Sequence, residues 1–245
     1  MANTTRNTTT AVCFLAVLSV IVAYLLMESA FALPSGAVII FNQTAGIPTT
    51  TPDNRNDSRG TITTLILRGV QQDQSWKGYV GNITGKLTLD DAVGNTIYNW
   101  PLSLTKIGKV YLSRSNSPSW LNVTCGNQTY IDNEQGYYGM AVVASDNINS
   151  TFNTTNHQRF LVGPNPIAVN TCRATSTFIN NVSQTPNGNQ LFQEILLQDP
   201  THLIFTTMIN ASTAGFDGRQ YDFQIIVPES PVNSSTPYYF YTELG

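Results

Sequence analysis

Beyond residue 33 the apolar positions come in short groups, many of them β-branched or aromatic. They often alternate with polar positions and are divided by Gly, Pro, Asn and Asp. A period of two without a sustained helical repeat predicts strands. Candidate strands fall at residues 37–41, 61–67, 76–89, 96–104, 110–113, 137–144, 160–162, 176–179, 191–197, 202–209, 221–227 and 238–242. Only 191–198 is ambiguous, because Leu191, Phe192, Ile195 and Leu196 also suit a short helix.

The longest candidate strand has two distinct faces. Tyr79, Gly81, Ile83, Gly85, Leu87 and Leu89 share one side, and Val80, Asn82, Thr84, Lys86 and Thr88 the other. One face is expected on a core and one in water, as in an antiparallel sheet. Gly81 and Gly85 would leave room there for Tyr98 or Trp100. Asp90-Asp91-Ala92-Val93-Gly94-Asn95 reads as a turn that makes a hairpin with the strand after it. Residues 48–60 hold two prolines and no aliphatic side chain, the pattern of a linker or long loop. The fold class is all-β: an antiparallel β-sandwich, immunoglobulin-like or jelly-roll-like, following an N-terminal signal peptide.

The start of the chain carries the export signal. Residues 11–27 are uncharged and apolar, and Ala30-Phe31-Ala32 closes with the small-x-small pattern of a cleavage site. Cleavage is expected after Ala32. The alternative is an uncleaved anchor, short for a hydrocarbon core of about 30 Å, and that would be the protein's only link to a membrane. Three parts follow: a signal peptide at 1–32, an N-terminal strand and linker at 33–60, and the sandwich domain at 61–245. Cys13 leaves with the signal, so Cys125 and Cys172 remain as an even pair, most simply one disulfide. Closing that loop contributes about 3–4 kcal/mol in the chain-entropy model. Two free thiols are the alternative; a zinc site lacks ligand spacing.

Charge then narrows the functional classes. Charged residues are 11% of the chain and the net charge is −3, which excludes a nucleic-acid binder that must neutralise phosphates. Polarity comes instead from Asn, Thr and Ser. Ten sequons follow the signal, at Asn42, Asn56, Asn82, Asn122, Asn127, Asn149, Asn153, Asn181, Asn210 and Asn233. A modified asparagine must lie on exposed surface.

No catalytic constellation emerges. His157 lies in a polar loop and His202 opens a strand, so both read as solvated or capping residues. Neither G-x-S-x-G nor H-E-x-x-H is present. Asp90 and Asp91, and Asp217 with Gly218, read as turn chemistry in preference to calcium loops. Asp132, Glu134 and Asp146 read as loop-solvating. Trp76, Trp100 and Trp120 either stack on sugars or, the better reading, fill the core. No cofactor is expected. The unbroken run Ala37, Val38, Ile39, Ile40 and Phe41 either joins its own sheet or leaves to complete a neighbour's by strand exchange.

Several segments resemble one group of proteins. They are Trp76-Lys77-Gly78-Tyr79-Val80-Gly81-Asn82-Ile83-Thr84-Gly85 with Leu87-Thr88-Leu89-Asp90-Asp91, and Gly108-Lys109-Val110-Tyr111. Gly215-Phe216-Asp217-Gly218, Tyr221-Asp222-Phe223-Gln224 and Thr236-Pro237-Tyr238-Tyr239-Phe240-Tyr241 complete the pattern. It resembles a group of uncharacterised exported archaeal cell-surface proteins, and the resemblance implies surface location without any activity. The composition is also similar to that of surface-layer and extracellular-filament proteins. The expectation is a secreted structural or adhesive protein, not an enzyme, and a subunit of a filament or lattice in its sharpest form. Self-association, other cell-surface partners and glycans are the expected contacts. The alternatives are a carbohydrate-binding module and, third, a secreted hydrolase.

Overall fold

The computed structural model describes residues 33–44, 62, 64–66, 73–101, 108–230 and 235–244, with backbone alone at Leu87 and Pro101. The signal segment 1–32, the linker 48–60, Asn56 and Asn233 lie outside the described residues. So do parts of the candidate strands 61–67 and 96–104.

The strands in chain order are Ser35–Gly36 (β1), Trp76–Gly81 (β2), Lys86–Asp90 (β3), Thr96–Pro101 (β4) and Lys109–Ser113 (β5). Thr124–Cys125 (β6), Phe160–Val162 (β7), Asn165–Ile167 (β8), Ala174–Ser176 (β9) and Gln193–Gln198 (β10) follow. The last are Leu203–Met208 (β11), Thr213–Ala214 (β12), Gln220–Tyr221 (β13), Phe223–Pro228 (β14) and Tyr239–Glu243 (β15). Two helices, Gln128–Tyr138 (α1) and Ile148–Thr151 (α2), interrupt them.

Every named pairing is antiparallel, and seven strands form the main sheet in the order β1-β15-β5-β11-β10 with β6 and β9 sharing the outer edge of β10. Strands β5, β10 and β11 are buried at every position, because both faces of the sheet are covered. On one face Tyr111, Ile195, Leu197, Ile204 and Tyr241 pack with Phe160, Val162 and Ile167 of the β7–β8 hairpin. On the other, Val110, Leu112, Leu196 and Phe205 meet Ile225 and Val227 of the β2–β14 ribbon, with Ile131, Ile148 and Phe152 from the helical region. Alternate residues of one strand therefore serve different cores. The architecture is an all-β sandwich, as the patterning predicts.

The disulfide closes the β10 edge. Cys125 and Cys172 are bonded, with Cα atoms 4.9 Å apart. Gly126 donates its N–H to the carbonyl of Leu196, and Leu196 donates its own to the carbonyl of Arg173. The bridge thus joins two short strands where they meet along β10.

Several elements differ from expectation. The span 76–89 is two strands, not one. Asp222 donates its N–H to Gly81, while its carboxylate accepts from the N–H groups of Ile83 (2.8 Å) and Ser212 (2.7 Å). A side chain replaces the ladder there, and the chain turns away after β2. Alternating burial holds through Ile83 and fails beyond it, with Gly85 and Leu89 exposed. Phe223, not Tyr98 or Trp100, lies over Gly81, where a Cβ would sit 3.1 Å from its ring. The β3–β4 hairpin forms as expected, its turn held by Asp91, which accepts from the N–H groups of Val93 and Asn95.

The expected strand 137–144 is instead the end of α1 and a turn. Helix α1 starts at Asn127, whose side chain accepts from the Tyr130 N–H, and stops at Gly139 in the left-handed conformation at φ 67°. Its buried face is Ile131, Glu134, Gln135 and Tyr138, a helical stripe in which two of four members are polar, so apolar periodicity could not reveal it. The expected 176–179 strand lies mostly earlier, as β9, and 191–198 resolves as strand β10.

Candidate functional site: an apolar run beside a half-covered sheet edge

The run Ala37 to Phe41 is not a strand of its own sheet. Two earlier residues fill that role: Ser35 pairs with Thr242 and Gly36 with Tyr241. Just before them Leu33 packs on the turn at Gly163, where φ is 52° and a Cβ would fall 2.6 Å from the leucine side chain. Pro34 is buried beside it. Ala37 donates one further N–H to the carbonyl of Phe240, and there the pairing ends. Val38, Ile39, Ile40 and Phe41 are 86%, 59%, 83% and 80% exposed.

The reason lies in β15. Continuing the register would bring Val38 opposite Tyr239, Ile39 opposite Tyr238 and Ile40 opposite Pro237. Strand β15 begins only at Tyr239, so the run passes beyond its end. Tyr238 is directed elsewhere: its hydroxyl lies 2.6 Å from that of Tyr138 and donates to the Pro228 carbonyl. Burial and the neighbouring Tyr138 hydroxyl raise its pKa. What remains is an open groove of about 400 Å³, lined by Gly36, Ala37, Ile39 and residues Tyr238, Tyr239 and Phe240 of the β15 region.

Strand β15 itself is anchored firmly. Glu243 accepts from the buried Lys109 ammonium at 3.0 Å and from the Tyr111 hydroxyl, and Lys109 also donates to the Leu161 carbonyl. Burial lowers the Lys109 pKa against the opposing pull of Glu243, and burial with Glu243 raises that of Tyr111. At the far end of β5 Arg114 makes a two-point pair with Glu134, both contacts 2.8 Å, and stacks over Tyr137. Glu134 is therefore a buried partner of an arginine, not a loop-solvating residue.

A second exposed apolar surface is the β3–β4 hairpin. Among the described residues it pairs with no other strand, and none of its described side chains belongs to either core. Leu89, Ile97, Tyr98 and Trp100 are 54%, 79%, 58% and 44% exposed. Tyr98 and Trp100 touch edge-on, with ring centroids 4.9 Å apart. The other two tryptophans are structural. Trp76 packs on Phe152 and donates to the Asp146 carbonyl, and Trp120 lies between Tyr111 and Tyr241.

The titratable groups are dispersed. His157 is fully buried, unlike the solvated residue expected: its Nε2 accepts from the N–H groups of Thr171 and Cys172 at 3.0 and 2.8 Å, and its Nδ1 faces the Gln158 carbonyl. It organises the approach to the disulfide, and burial lowers its pKa against the Gln158 contact. His202 contacts the Thr201 hydroxyl. Asp199 accepts from the N–H groups of Ser119, Thr201 and His202; burial pushes its pKa up, but these donors bring it below the usual value. Asp217 accepts from the Arg219 N–H and the Tyr221 hydroxyl, which is turn chemistry. Glu194 is wholly buried, and burial holds its pKa well above the usual carboxylate value against the Ile226 N–H donated to Oε2. Among the described residues no group of three His, Cys, Asp or Glu is placed to hold a metal.

Of the sequons, Asn42, Asn82, Asn122, Asn127, Asn153 and Asn181 are exposed. Asn149 is half-buried. Asn210 departs from the expectation: it is 6% exposed and its amide donates to the Met208 carbonyl, so the folded chain does not present it for modification. No helix of the described residues is long and apolar enough to cross a membrane. The disulfide is compatible with an extracellular protein. Compared with protein-family models, curated proteins and solved structures, the chain matches none.

Proposed function

We propose that this chain is an exported structural or adhesive subunit of the cell exterior, modified at its exposed sequons, that assembles by donating residues 38–41 as a strand to a second copy. One observation carries the reading: an uncharged run rich in β-branched side chains is left in water where its own sheet edge stops accepting it. Such a run pairs by backbone hydrogen bonds with any free edge and buries alternate side chains as it does so. Burying one Val, Ile or Phe side chain contributes about 1.5–3 kcal/mol, so the two alternate side chains that are covered give about 3–6 kcal/mol. Association costs about 4–15 kcal/mol. The run alone is therefore a weak joint, and repetition along a polymer supplies the rest. The resemblance to exported archaeal surface proteins and the low-charge composition agree with this reading.

The other readings have less to stand on. Of the three tryptophans only Trp100 is exposed for a sugar-binding face, and its ring meets that of Tyr98 at 64° without forming a flat platform. A hydrolase needs converging titratable groups, and Glu134, Asp199, Asp217 and Glu243 are each engaged by structural donors. The test is electron microscopy of native protein beside a variant with Val38, Ile39, Ile40 and Phe41 each changed to Ser. That variant keeps β1 and the packing of Pro34. Polymers lost at an unchanged unfolding midpoint support the proposal; polymers that persist in the variant refute it.

A further inference from the structure

The strand-donation reading leaves the acceptor unnamed, and several strand edges compete for it. The β10 edge is closed by β6, β9 and the disulfide. The β15 edge carries β1 and offers little beyond Phe240 before the strand ends at Tyr239. Among the described residues the outer edges of the β3–β4 hairpin lack a strand partner, as do those of the β2–β14 ribbon, but the hairpin differs from that ribbon in packing no described side chain into either core. A two-stranded ribbon is marginal in water, and a third strand with an apolar face makes it stable.

The two edges of the ribbon are not equivalent. Strand β3 is bounded by Lys86 and Asp90, and charge on an edge discourages pairing. Strand β4 presents Thr96-Ile97-Tyr98-Asn99-Trp100, uncharged throughout and rich in strand-forming side chains, with Pro101 closing it. The donor run, Val38 to Phe41, is uncharged and fits within the length of β4. Tyr98 and Trp100 lie on one face of the ribbon with Leu89, which is paired with Tyr98. A strand added to β4 extends that face and buries the donor's alternate side chains against it.

We infer that the β4 edge of the hairpin accepts residues 38–41 of a second copy and becomes a three-stranded sheet. The inference rests on the strand-donation reading. One chain then carries both a donor and a distinct acceptor, a head-to-tail joint that propagates unless its rotation closes a ring. The core takes no part, since no described hairpin side chain belongs to it.

The test pairs single cysteines in different copies of the full chain, one of them mass-tagged. Four residues paired fully within five put either Ile39 or Ile40 opposite Tyr98 whichever way the strands run, so Ile39→Cys and Ile40→Cys are each mixed with Tyr98→Cys and oxidised mildly. A disulfide-linked adduct is expected in one of the two mixtures, and none with the control Val93→Cys at the hairpin turn. Trp100→Asp is expected to remove polymers at an unchanged unfolding midpoint. If no adduct forms beyond the control while polymers still require residues 38–41, the acceptor lies elsewhere and this inference fails alone. Should polymers be indifferent to residues 38–41, the donation reading has failed first. Retention on a glycan array that Trp100→Ala removes, with no adduct, assigns the hairpin to sugar and overturns the inference.

Discussion

The middle of the main sheet and the pair formed by residues 38–41 and the β3–β4 hairpin are built from similar material. Leu196, Phe205 and Ile204 are no more apolar than Ile40, Phe41 or Ile97, yet the first three are sealed from water and the last three stand in it. The difference is coverage. Strands β5, β10 and β11 are sandwiched between the β7–β8 hairpin and the β2–β14 ribbon, whereas the run has outlived its own edge and the hairpin never acquires a second layer. Apolar surface in the first region holds the monomer together, and in the second it is free to join monomers. The two edges of the main sheet repeat the contrast: one is closed by two strands and a disulfide, the other covered by a two-residue strand.

Mutation separates the regions most sharply at Phe205. Phe205→Ala empties space beneath Phe152 and Tyr238 and is expected to cost about 3–5 kcal/mol in a denaturant titration. A loss under about 1 kcal/mol would mean that the sheet centre is not where stability resides. Next in size, replacing Cys125 and Cys172 together with Ser removes the closure of the β10 edge at an expected cost of about 3–4 kcal/mol. Differential scanning of the variant, compared with the oxidised parent, measures it.

A smaller effect is visible in the pH dependence of the core alone. Glu194 has its folded pKa raised by burial, so its contribution is full below an unfolded value of about 4.3 and is lost as pH rises through the folded value. His157 has its folded pKa lowered by burial. Its contribution is present above an unfolded value of about 6.5 and is lost as pH falls through the folded one. Glu194→Gln therefore removes the loss at rising pH and leaves the falls towards acid from His157 and Asp199, so its advantage over the parent grows with pH. A constant difference across pH would reject a buried neutral carboxyl. Smallest of all, Trp100→Ala is expected to change monomer stability by less than about 0.5 kcal/mol, measured in the same titration as Phe205→Ala.

Much of this contrast was legible in the chain, and its limits have physical causes. Residues 160–162 are a strand as read, and the strands at 110–113, 202–209 and 238–242 lie within a residue or so of their expected bounds. Their β-branched and aromatic side chains both form and bury them. Helix α1 escaped because Glu134 and Gln135 complete its buried face; only the caps Asn127 and Gly139 marked it. The break after Gly81 depends on Asp222, 141 positions on by number, whose carboxylate takes the Ile83 N–H. No local pattern announces such a partner. His157 looked solvated because its neighbours in sequence are polar, while its neighbours in space are the Thr171 and Cys172 N–H groups. The run at 37–41 was visible as a strand with two destinies, and what the sequence withheld was the end of β15 at Tyr239 beside it.

Amide hydrogen exchange on assembled material reads the fate of that run directly. If residues 38–41 are a donated strand, their amides exchange slowly in polymers and at nearly the free-chain rate in monomers, while β5, β10 and β11 are protected in both. Rapid exchange at 38–41 in intact polymers would contradict strand donation outright.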